Sequence, residues 1–175
     1  MKDLKYPIGT FDDQDPQWNL SGGDNIAYIA KYPQLLWATI ANLTDHQMKT
    51  PYRPGGWTIT QLIHHIADSH MNAYIRFKLS LTETEPTIKP YEEAEWAKLP
   101  DYNLEMIPVS ISLIKALHTK WSNLMDAMTI EDWKKRYHHP ADGSYIDLTT
   151  ARMMYHWHSA HHLAHITNLV ERENW

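Results

Sequence analysis

One stretch near the C-terminus is rich in histidine. It reads Tyr155-His156-Trp157-His158-Ser159-Ala160-His161-His162-Leu163-Ala164-His165. Residues four apart lie one turn apart on the same face of a helix, so His158 and His162 can present two ring nitrogens to one ion. The pair formed by His161 and His165 has the same spacing. We therefore expect a helix that carries a metal site beside an apolar stripe.

The helix that contains this stretch is predicted to begin between Asp147 and Thr150 and to run to about Arg172. One side of its helical wheel combines apolar and small residues: Leu148, Tyr155, Ser159, Ile166 and Val170. His162 lies inside this face and His158 lies at its rim. His165 is also at the rim, whereas His161 and Trp157 point largely the other way.

A second histidine cluster lies on an earlier predicted helix. The sequence Thr58-Ile59-Thr60-Gln61 matches a capping box, so this helix begins near residue 58 and runs to about residue 83. Its apolar stripe comprises Ile59, Ile63, Ile66, His70, Ala73, Phe77 and Leu81. His64 and His65 flank the stripe on opposite sides, so the wheel does not choose between them as a third ligand. His70, inside the stripe, fits a buried histidine bonded to a neighbour.

Two more amphipathic segments complete the fold. The first follows Ser21-Gly22-Gly23-Asp24, and Pro33 is expected to kink it or to divide it in two. The third helix carries Leu113, Leu117, Trp121, Leu124 and Met128. Residues 84–107 are mainly irregular with one short helix at 92–98, and residues 138–143 form a turn-bearing loop. We predict an all-α four-helix bundle, a single domain over residues 1–175 with an irregular N-terminal arm at 1–20.

Composition limits the classes of function. The 16 Lys and Arg against 21 Asp and Glu give a formal net charge of -5 without a basic stripe, which disfavours nucleic-acid binding. Because cysteine is absent, a transition metal must be held by His, Asp or Glu. No segment approaches the ~20 apolar residues of a membrane span, and the first residues lack an apolar signal region. We expect a cytoplasmic protein with no membrane partner.

Several motifs resemble the DinB/YfiT superfamily. The central block comprises Pro51-Tyr52-Arg53-Pro54-Gly55-Gly56-Trp57-Thr58, His64-His65-Ile66-Ala67-Asp68-Ser69-His70-Met71-Asn72 and Tyr74-Ile75-Arg76-Phe77-Lys78-Leu79-Ser80-Leu81. The C-terminal block is Trp157-His158-Ser159 followed by His161-His162-Leu163-Ala164-His165-Ile166. The likeness extends from Tyr6-Pro7-Ile8-Gly9 to the final helix, which is nearly the whole chain.

The resemblance implies a cytoplasmic, homodimeric metal-dependent hydrolase with a small-molecule substrate. Aligned motif by motif, the ligands of the family fall on His65, His158 and His162, which selects His65 over His64. The implied cofactor is one divalent metal per subunit, zinc first and nickel as the alternative. Related members resemble bacillithiol S-transferases, and a more distant branch resembles mycothiol-dependent enzymes. Transfer of a low-molecular-weight thiol is therefore the alternative activity.

Three neutral imidazoles would leave a zinc ion its full charge and at least one open position. Such an ion activates water for hydrolysis or holds an external thiol as the thiolate. A rival hypothesis is a non-catalytic module in which a metal, or no metal, pins the second helix to the fourth. The sequence leaves open the substrate, the native metal, the dimer interface and the roles of His64, His70, His161 and His165.

Further candidate residues surround the predicted ligands. Asp68 follows His65 by three residues, close enough on a helix to orient an imidazole or to act as a base. Arg53 and Arg76 are candidates for gripping an anionic substrate carboxylate. Trp57 and Tyr52 are candidates for the mouth of the pocket. Each has an ordinary alternative, namely a polar helix position, a local ion pair or a packing residue.

Overall fold

The structure, a computed structural model, describes residues 3–175. Its helices are α1 (Gly22–Ile40), α2 (Asp45–Met48), α3 (Ile59–Thr82), α4 (Glu93–Trp96), α5 (Ile107–Asp126), α6 (Ile130–Trp133) and α7 (Leu148–Glu173), with a 3-10 turn at Leu104–Met106 and strands β1 (Arg136–His139) and β2 (Ser144–Asp147). The four long helices form a four-helix bundle, which confirms the predicted fold. None of the described helices is both long and apolar enough to cross a bilayer.

The long helices form a closed ring around the core. α1 packs against α5 and α7, and α3 packs against the same two helices. Consecutive long helices α1 and α3 therefore lie diagonally across the bundle, and α7 closes the ring between them. This order makes α3 and α7 neighbours although more than 60 residues separate them in the chain.

The predicted stripe of the second helix is the buried face of α3. Ile59, Ile63, Ile66 and Phe77 are fully inaccessible to solvent. The capping box forms as predicted: the Thr58 hydroxyl accepts a hydrogen bond from the Gln61 backbone N–H at 3.1 Å, and the Gln61 side chain accepts one from the Thr58 backbone N–H at 3.0 Å. The start of α3 is thereby fixed, and with it the direction of each histidine that follows.

Pro33 does not divide α1, so the predicted alternative of two separate helices is wrong. A proline lacks the N–H that bonds to the carbonyl four residues earlier, which here belongs to Ile29. The Ile29 carbonyl instead accepts a hydrogen bond of 2.6 Å from Nδ1 of His118 on α5. α1 continues through Pro33 with its freed acceptor satisfied by a side chain from a neighbouring helix.

One predicted core position lies on the surface: Leu113 is 40% exposed. α5 begins at Ile107, before the first residue of the predicted stripe, and its buried line passes through Ile114 and Trp121. Leu117 and Trp121 of the predicted stripe are buried, so Leu113 lies at the solvent-facing edge of a stripe that is otherwise placed correctly in this part of the helix.

A short antiparallel hairpin was not predicted as strands. β1 pairs with β2 so that Tyr137 faces Ile146, and Gly143 in the connecting turn has a φ of +73°. The turn itself lies in the loop predicted at 138–143. The strands are only four residues long and mostly polar, so they lack the alternation that distinguishes strands in a sequence.

The N-terminal arm lies across the outer face of α7. Its described part, residues 3–20, has no helix or strand, as predicted. The indole N–H of Trp157 donates to the Gly9 carbonyl at 3.2 Å, and Trp18 of the arm is only 3% exposed. Trp157 and His161 do face away from the bundle core, but the arm covers this face and leaves His161 only 7% exposed.

Candidate metal centre

Two helices bring three histidines together. α3 contributes His65, and α7 contributes His158 and His162 from successive turns. One ring nitrogen of each lies within 4.8 Å of those of the other two, and the Nε2 atoms of His158 and His162 are 3.0 Å apart. Among residues 3–175, no fourth histidine, aspartate or glutamate joins this group. The structure thus places His65, His158 and His162 at one point, which we call the His65 cluster.

The three rings are neutral at physiological pH. Burial lowers the pKa of His65 to about 4, and burial together with the neighbouring rings holds the pKa values of His158 and His162 well below their usual range. His65 is 3% exposed and His162 is 7% exposed, while His158 is half-buried. Metal ligation requires neutral imidazoles, so these rings are in the protonation state that binding needs.

The cluster has the donor set and spacing of a divalent metal site. Two nitrogens about 2.1 Å from a tetrahedral zinc ion lie about 3.4 Å apart, and the two α7 nitrogens are 3.0 Å apart. The Nδ1 atoms of His65 and His162 are buried without a hydrogen-bond partner among residues 3–175. Because Nε2 of His162 is the atom that faces His158, an ion bound there would not serve Nδ1 of His162, and the fit to a metal rests on the three imidazole donors and their spacing.

His64 and His65 are adjacent in sequence but have different neighbours. Nδ1 of His64 is 2.8 Å from the Ser110 hydroxyl, and its Nε2 is 2.9 Å from the Asn103 carbonyl oxygen. Both ring nitrogens of His64 are therefore used, one by α5 and the other by the segment that leads into it. His65 points instead towards α7, with its ring centroid 5.0 Å from that of His162.

A second group of nitrogens lies on α7 alone. His161, His162 and His165 have nitrogens within 4.8 Å of one another, and the Nε2 atoms of His161 and His165 are 3.0 Å apart. Burial, with smaller contributions from His161 and the Arg53 charge, lowers the pKa of His165 to about 3. The Arg53 charge that disfavours a proton on His165 also disfavours a metal cation there. The His65 cluster is therefore the better cation site of the two.

Comparisons with known proteins assign this chain to a family. The sequence pattern of the DinB superfamily matches residues 29–166. The chain belongs to the DinB superfamily. It is 49% identical over 177 residues to a Bacillus pumilus protein named "Putative metal-dependent hydrolase", covering 100% of this chain and 99% of the relative. A relative from Oceanobacillus iheyensis with the same description is 48% identical and is covered to 98%, as is this chain.

A solved structure has the same fold over nearly the whole of this DinB-superfamily chain. YfiT from Bacillus subtilis, described as a probable metal-dependent hydrolase with an unusual four-helix bundle topology, matches with a TM-score of 0.93 at 42% identity. The match covers 98% of each chain. The resemblance seen in the sequence motifs is thereby confirmed.

In this DinB-superfamily protein, Asp68 does not orient a histidine of the cluster. Its carboxylate accepts a hydrogen bond of 2.6 Å from the Tyr102 hydroxyl, which approaches from the segment between α4 and α5. Burial raises the pKa of Asp68, and the Tyr102 hydrogen bond partly offsets this rise. Both nitrogens of His64 have other partners, and Nδ1 of His65 has none among residues 3–175, so the described contact of the Asp68 carboxylate is with Tyr102.

The predicted substrate-binding residues lie on different sides of the centre. The Trp57 ring packs on His65 with a centroid distance of 4.7 Å, so Trp57 borders the cluster directly. Arg53 donates to the Pro54 carbonyl and lies on the side of His165. Arg76 lies near Tyr155, whose ring is 5.6 Å from His158. The two arginines therefore do not form a single clamp.

Two histidines beside the His65 cluster, His70 and His118, were left open or missed in the sequence analysis. Nδ1 of His158 is 3.0 Å from Nε2 of His70, and Nδ1 of His70 is 2.7 Å from Nε2 of His118. His70 fits the predicted buried histidine with a polar neighbour. His118 was not singled out, although it lies on the buried line of α5 between Ile114 and Trp121, where a polar residue is unusual.

Proposed function

We propose that this protein is a metal-dependent hydrolase in which His65, His158 and His162 hold one divalent ion. The observation that carries the proposal is the convergence of three neutral imidazoles, two buried and one half-buried, from two helices without a carboxylate or thiolate. Near-full-length relatives that bear the hydrolase description support it. Zinc is the first choice and nickel the second, since both accept imidazole ligands.

Neutral ligands define the chemistry of such a site. When bound, the ion supplies undiminished Lewis acidity, which polarises a carbonyl and lowers the pKa of coordinated water to about 7. The three histidines hold their ring lone pairs ready, because burial keeps protons away from them. Trp57 forms an apolar wall against His65 that excludes bulk water from one side of the centre.

Three polar residues are proposed to act on a small-molecule substrate. Asp68, one turn beyond His65 and hydrogen-bonded by Tyr102, is the candidate proton acceptor. Its raised pKa brings the carboxyl closer to the range in which it can exchange protons. Arg76, beside Tyr155, and Arg53, beside His165, are separate candidates for binding an anionic group of the substrate, each on its own side of the centre.

Transfer of an external thiol is the second candidate activity. The sequence contains no cysteine, so no thiolate of the chain competes for the open position of the ion. The ion held by the three histidines would lower the pKa of a low-molecular-weight thiol of the bacillithiol type, whose proton passes to solvent. The sulfur would form a bond to a carbon electrophile while the leaving group departs with its bonding electron pair. The resemblance to thiol transferases within the superfamily supports this alternative.

Activity assays separate the candidates. Protein purified without a His-tag is stripped of metal, reloaded with zinc or nickel, and tested on a panel of esters and amides with and without an added thiol. Hydrolysis that depends on metal and on His65 supports the first proposal, and turnover that also requires thiol supports the second. If chelation lowers the melting temperature and no substrate in either panel turns over, the rival account of a metal-pinned helical module is favoured.

Assembly and location are proposed from the resemblance alone. We propose a cytoplasmic homodimer, with each subunit carrying its own His65 cluster. Sedimentation velocity at micromolar concentration is expected to give the mass of two chains. A mass of one chain over the same concentration range contradicts the dimer and leaves the metal site unaffected, because all three of its histidines come from one chain.

A further inference from the structure

A row of three histidines connects the His65 cluster to the backbone of α1. Nδ1 of His158 lies 3.0 Å from Nε2 of His70, and Nδ1 of His70 lies 2.7 Å from Nε2 of His118. Nδ1 of His118 lies 2.6 Å from the Ile29 carbonyl oxygen. His70 and His118 are fully buried, so water does not compete for these hydrogen bonds. The row spans α7, α3, α5 and α1, the four long helices of the bundle.

The backbone end of the row fixes the direction of every hydrogen bond in it. A carbonyl oxygen only accepts, so Nδ1 of His118 carries a proton and, in the neutral ring, its Nε2 is bare. Nδ1 of His70 must then donate to His118, which leaves Nε2 of His70 bare. That nitrogen can only accept, so Nδ1 of His158 donates to it. Nε2 of His158 is consequently the bare nitrogen of its ring.

The direction of the hydrogen bonds in the row depends on Pro33 in α1. Pro33 lacks the N–H that would bond to the Ile29 carbonyl within α1. The free carbonyl is the acceptor that His118 uses. The proline therefore has a consequence beyond the path of its own helix, because it supplies the fixed end of the row.

We propose that His70 and His118 are positioning residues that hold His158 as the Nδ1–H tautomer and so aim its bare Nε2 at the metal position. This inference rests on the proposed metal site. Nε2 of His158 is the atom that lies 3.0 Å from Nε2 of His162 inside the cluster. The nitrogen of a histidine that binds metal is set by the hydrogen bond that the other nitrogen makes, and loss of such a partner commonly weakens metal binding by about 10- to 100-fold.

The tautomer is measurable without any metal. Long-range proton–nitrogen spectra of metal-free, uniformly ¹⁵N-labelled protein distinguish a protonated ring nitrogen from a bare one. We expect His158, His70 and His118 each to be protonated on Nδ1 and bare on Nε2, with resonances assigned through single histidine substitutions. A His158 ring protonated on Nε2 in the wild-type protein overturns the proposal even if metal binds.

Substitutions test whether the row affects metal binding. His70→Phe retains an aromatic ring against Tyr155 and Trp121 but removes the acceptor for His158. We expect its dissociation constant for zinc, measured by competition with a chelator, to rise about 10- to 100-fold. His64→Gln is the matched control, because it changes an adjacent buried histidine outside the row and is expected to leave zinc affinity unchanged.

A pair of variants at His118 separates hydrogen-bond direction from packing. His118→Gln offers an amide N–H to the Ile29 carbonyl and an amide oxygen to His70, so it preserves the direction of the row. His118→Phe offers neither group. We expect His118→Gln to keep the His158 tautomer and most of the zinc affinity, and His118→Phe to lose both.

The outcomes distinguish this inference from the proposed function. If the wild-type protein does not bind zinc or nickel, the metal proposal fails, whatever the tautomer spectrum shows. If the wild-type protein binds metal and His70→Phe binds it equally well, the positioning role is refuted while the metal site stands. Should His70→Phe fail to fold by circular dichroism, the wild-type spectrum and the two His118 variants still decide.

Discussion

The protonation state of individual histidines is set by burial. Eight of the 12 histidines have pKa values lowered by burial: His65, His70, His118, His156, His158, His161, His162 and His165. A neutral buried imidazole is a good metal ligand and a directional hydrogen-bonding group. The same burial makes the folded state sensitive to acid.

The stability of the metal-free protein is predicted to fall as the pH drops from 6.5 towards 4. Below pH 6.5 the unfolded chain protonates its histidines, whereas the folded rings, with lowered pKa values, stay neutral, so protons favour unfolding. His118, with a pKa of about 4, illustrates the size of this effect on the free energy of unfolding. Its contribution to the free energy of unfolding falls by about 2 kcal/mol between pH 7 and pH 5.

Urea denaturation at several pH values measures this effect. His118→Gln removes one buried titrating ring, so its free energy of unfolding should depend less steeply on pH than that of the wild-type protein below pH 6.5. His46→Gln, a change at an exposed histidine, is the control for the number of histidines. Equal slopes for the wild-type protein and His118→Gln would contradict the assignment of His118 as a ring that stays neutral on folding.

At single positions, the sequence predicts the candidate site only where spacing carries the information. The i, i+4 relation of His158 and His162 survives in the structure because both lie on one helix. The choice between His64 and His65 depends on how α3 is rotated against α5 and α7, which a helical wheel does not contain. His118 gave no local signal of its hydrogen bonds, since its partners lie on α1 and α3.

Among the elements, α3 and α7 matter most because each carries part of the His65 cluster. The start of α3 lies two turns before His65 and is held by the capping box at Thr58. Thr58→Ala removes the hydroxyl that accepts from the Gln61 N–H, and we expect it to lower the free energy of unfolding by about 1 kcal/mol. Thr58→Ser keeps the acceptor and should stay near the wild-type value. Chemical denaturation at pH 7.5 compares the three proteins, and equal stability of Thr58→Ala would show that the cap is dispensable.

One buried amide contributes to holding the N-terminal arm on the bundle. Asn25, on α1, accepts a hydrogen bond of 2.7 Å from Nδ1 of His156, and its amide N–H groups face the carbonyls of Trp18, Leu20 and Ser21. Asn25→Ala leaves the buried His156 N–H without a partner. We expect a loss of about 2 kcal/mol in the free energy of unfolding.

Limited proteolysis tests the role of the arm in the same variant. Asn25→Ala should be cleaved within residues 3–20 faster than the wild-type protein, because the arm is released from α7 more often. Asn19→Ala, at an exposed position next to Trp18, is the matched control. Equal cleavage rates in Asn25→Ala and the wild-type protein would mean that the amide does not hold the arm.

The elements that the sequence predicted well are those with local signals. The capping box and the long apolar stripe located α3 at both ends. The β1–β2 hairpin and the packing of the arm on α7 depend on contacts between distant segments, such as Trp157 with Gly9. Those contacts leave no periodicity in the chain, so the burial of His161 was not foreseen.

In the whole molecule, the order of the bundle creates the site. Because α1 and α3 lie diagonally, α7 returns to pack beside α3 and delivers His158 and His162 to His65. The same arrangement lets one row of histidines connect all four long helices. A bound ion would therefore join α3 to α7, and metal loading should raise the melting temperature of the folded protein.

We propose that one divalent ion binds at His65, His158 and His162. Elemental analysis of protein purified without a His-tag, loaded with zinc and freed of excess metal, measures the metal per chain directly. We predict one zinc per chain for the wild-type protein and for His64→Gln, and a loss of stoichiometric zinc in His65→Ala, His158→Ala and His162→Ala, each verified as folded by circular dichroism. Full occupancy in the three alanine variants, or no zinc in the wild-type protein, would contradict the claim.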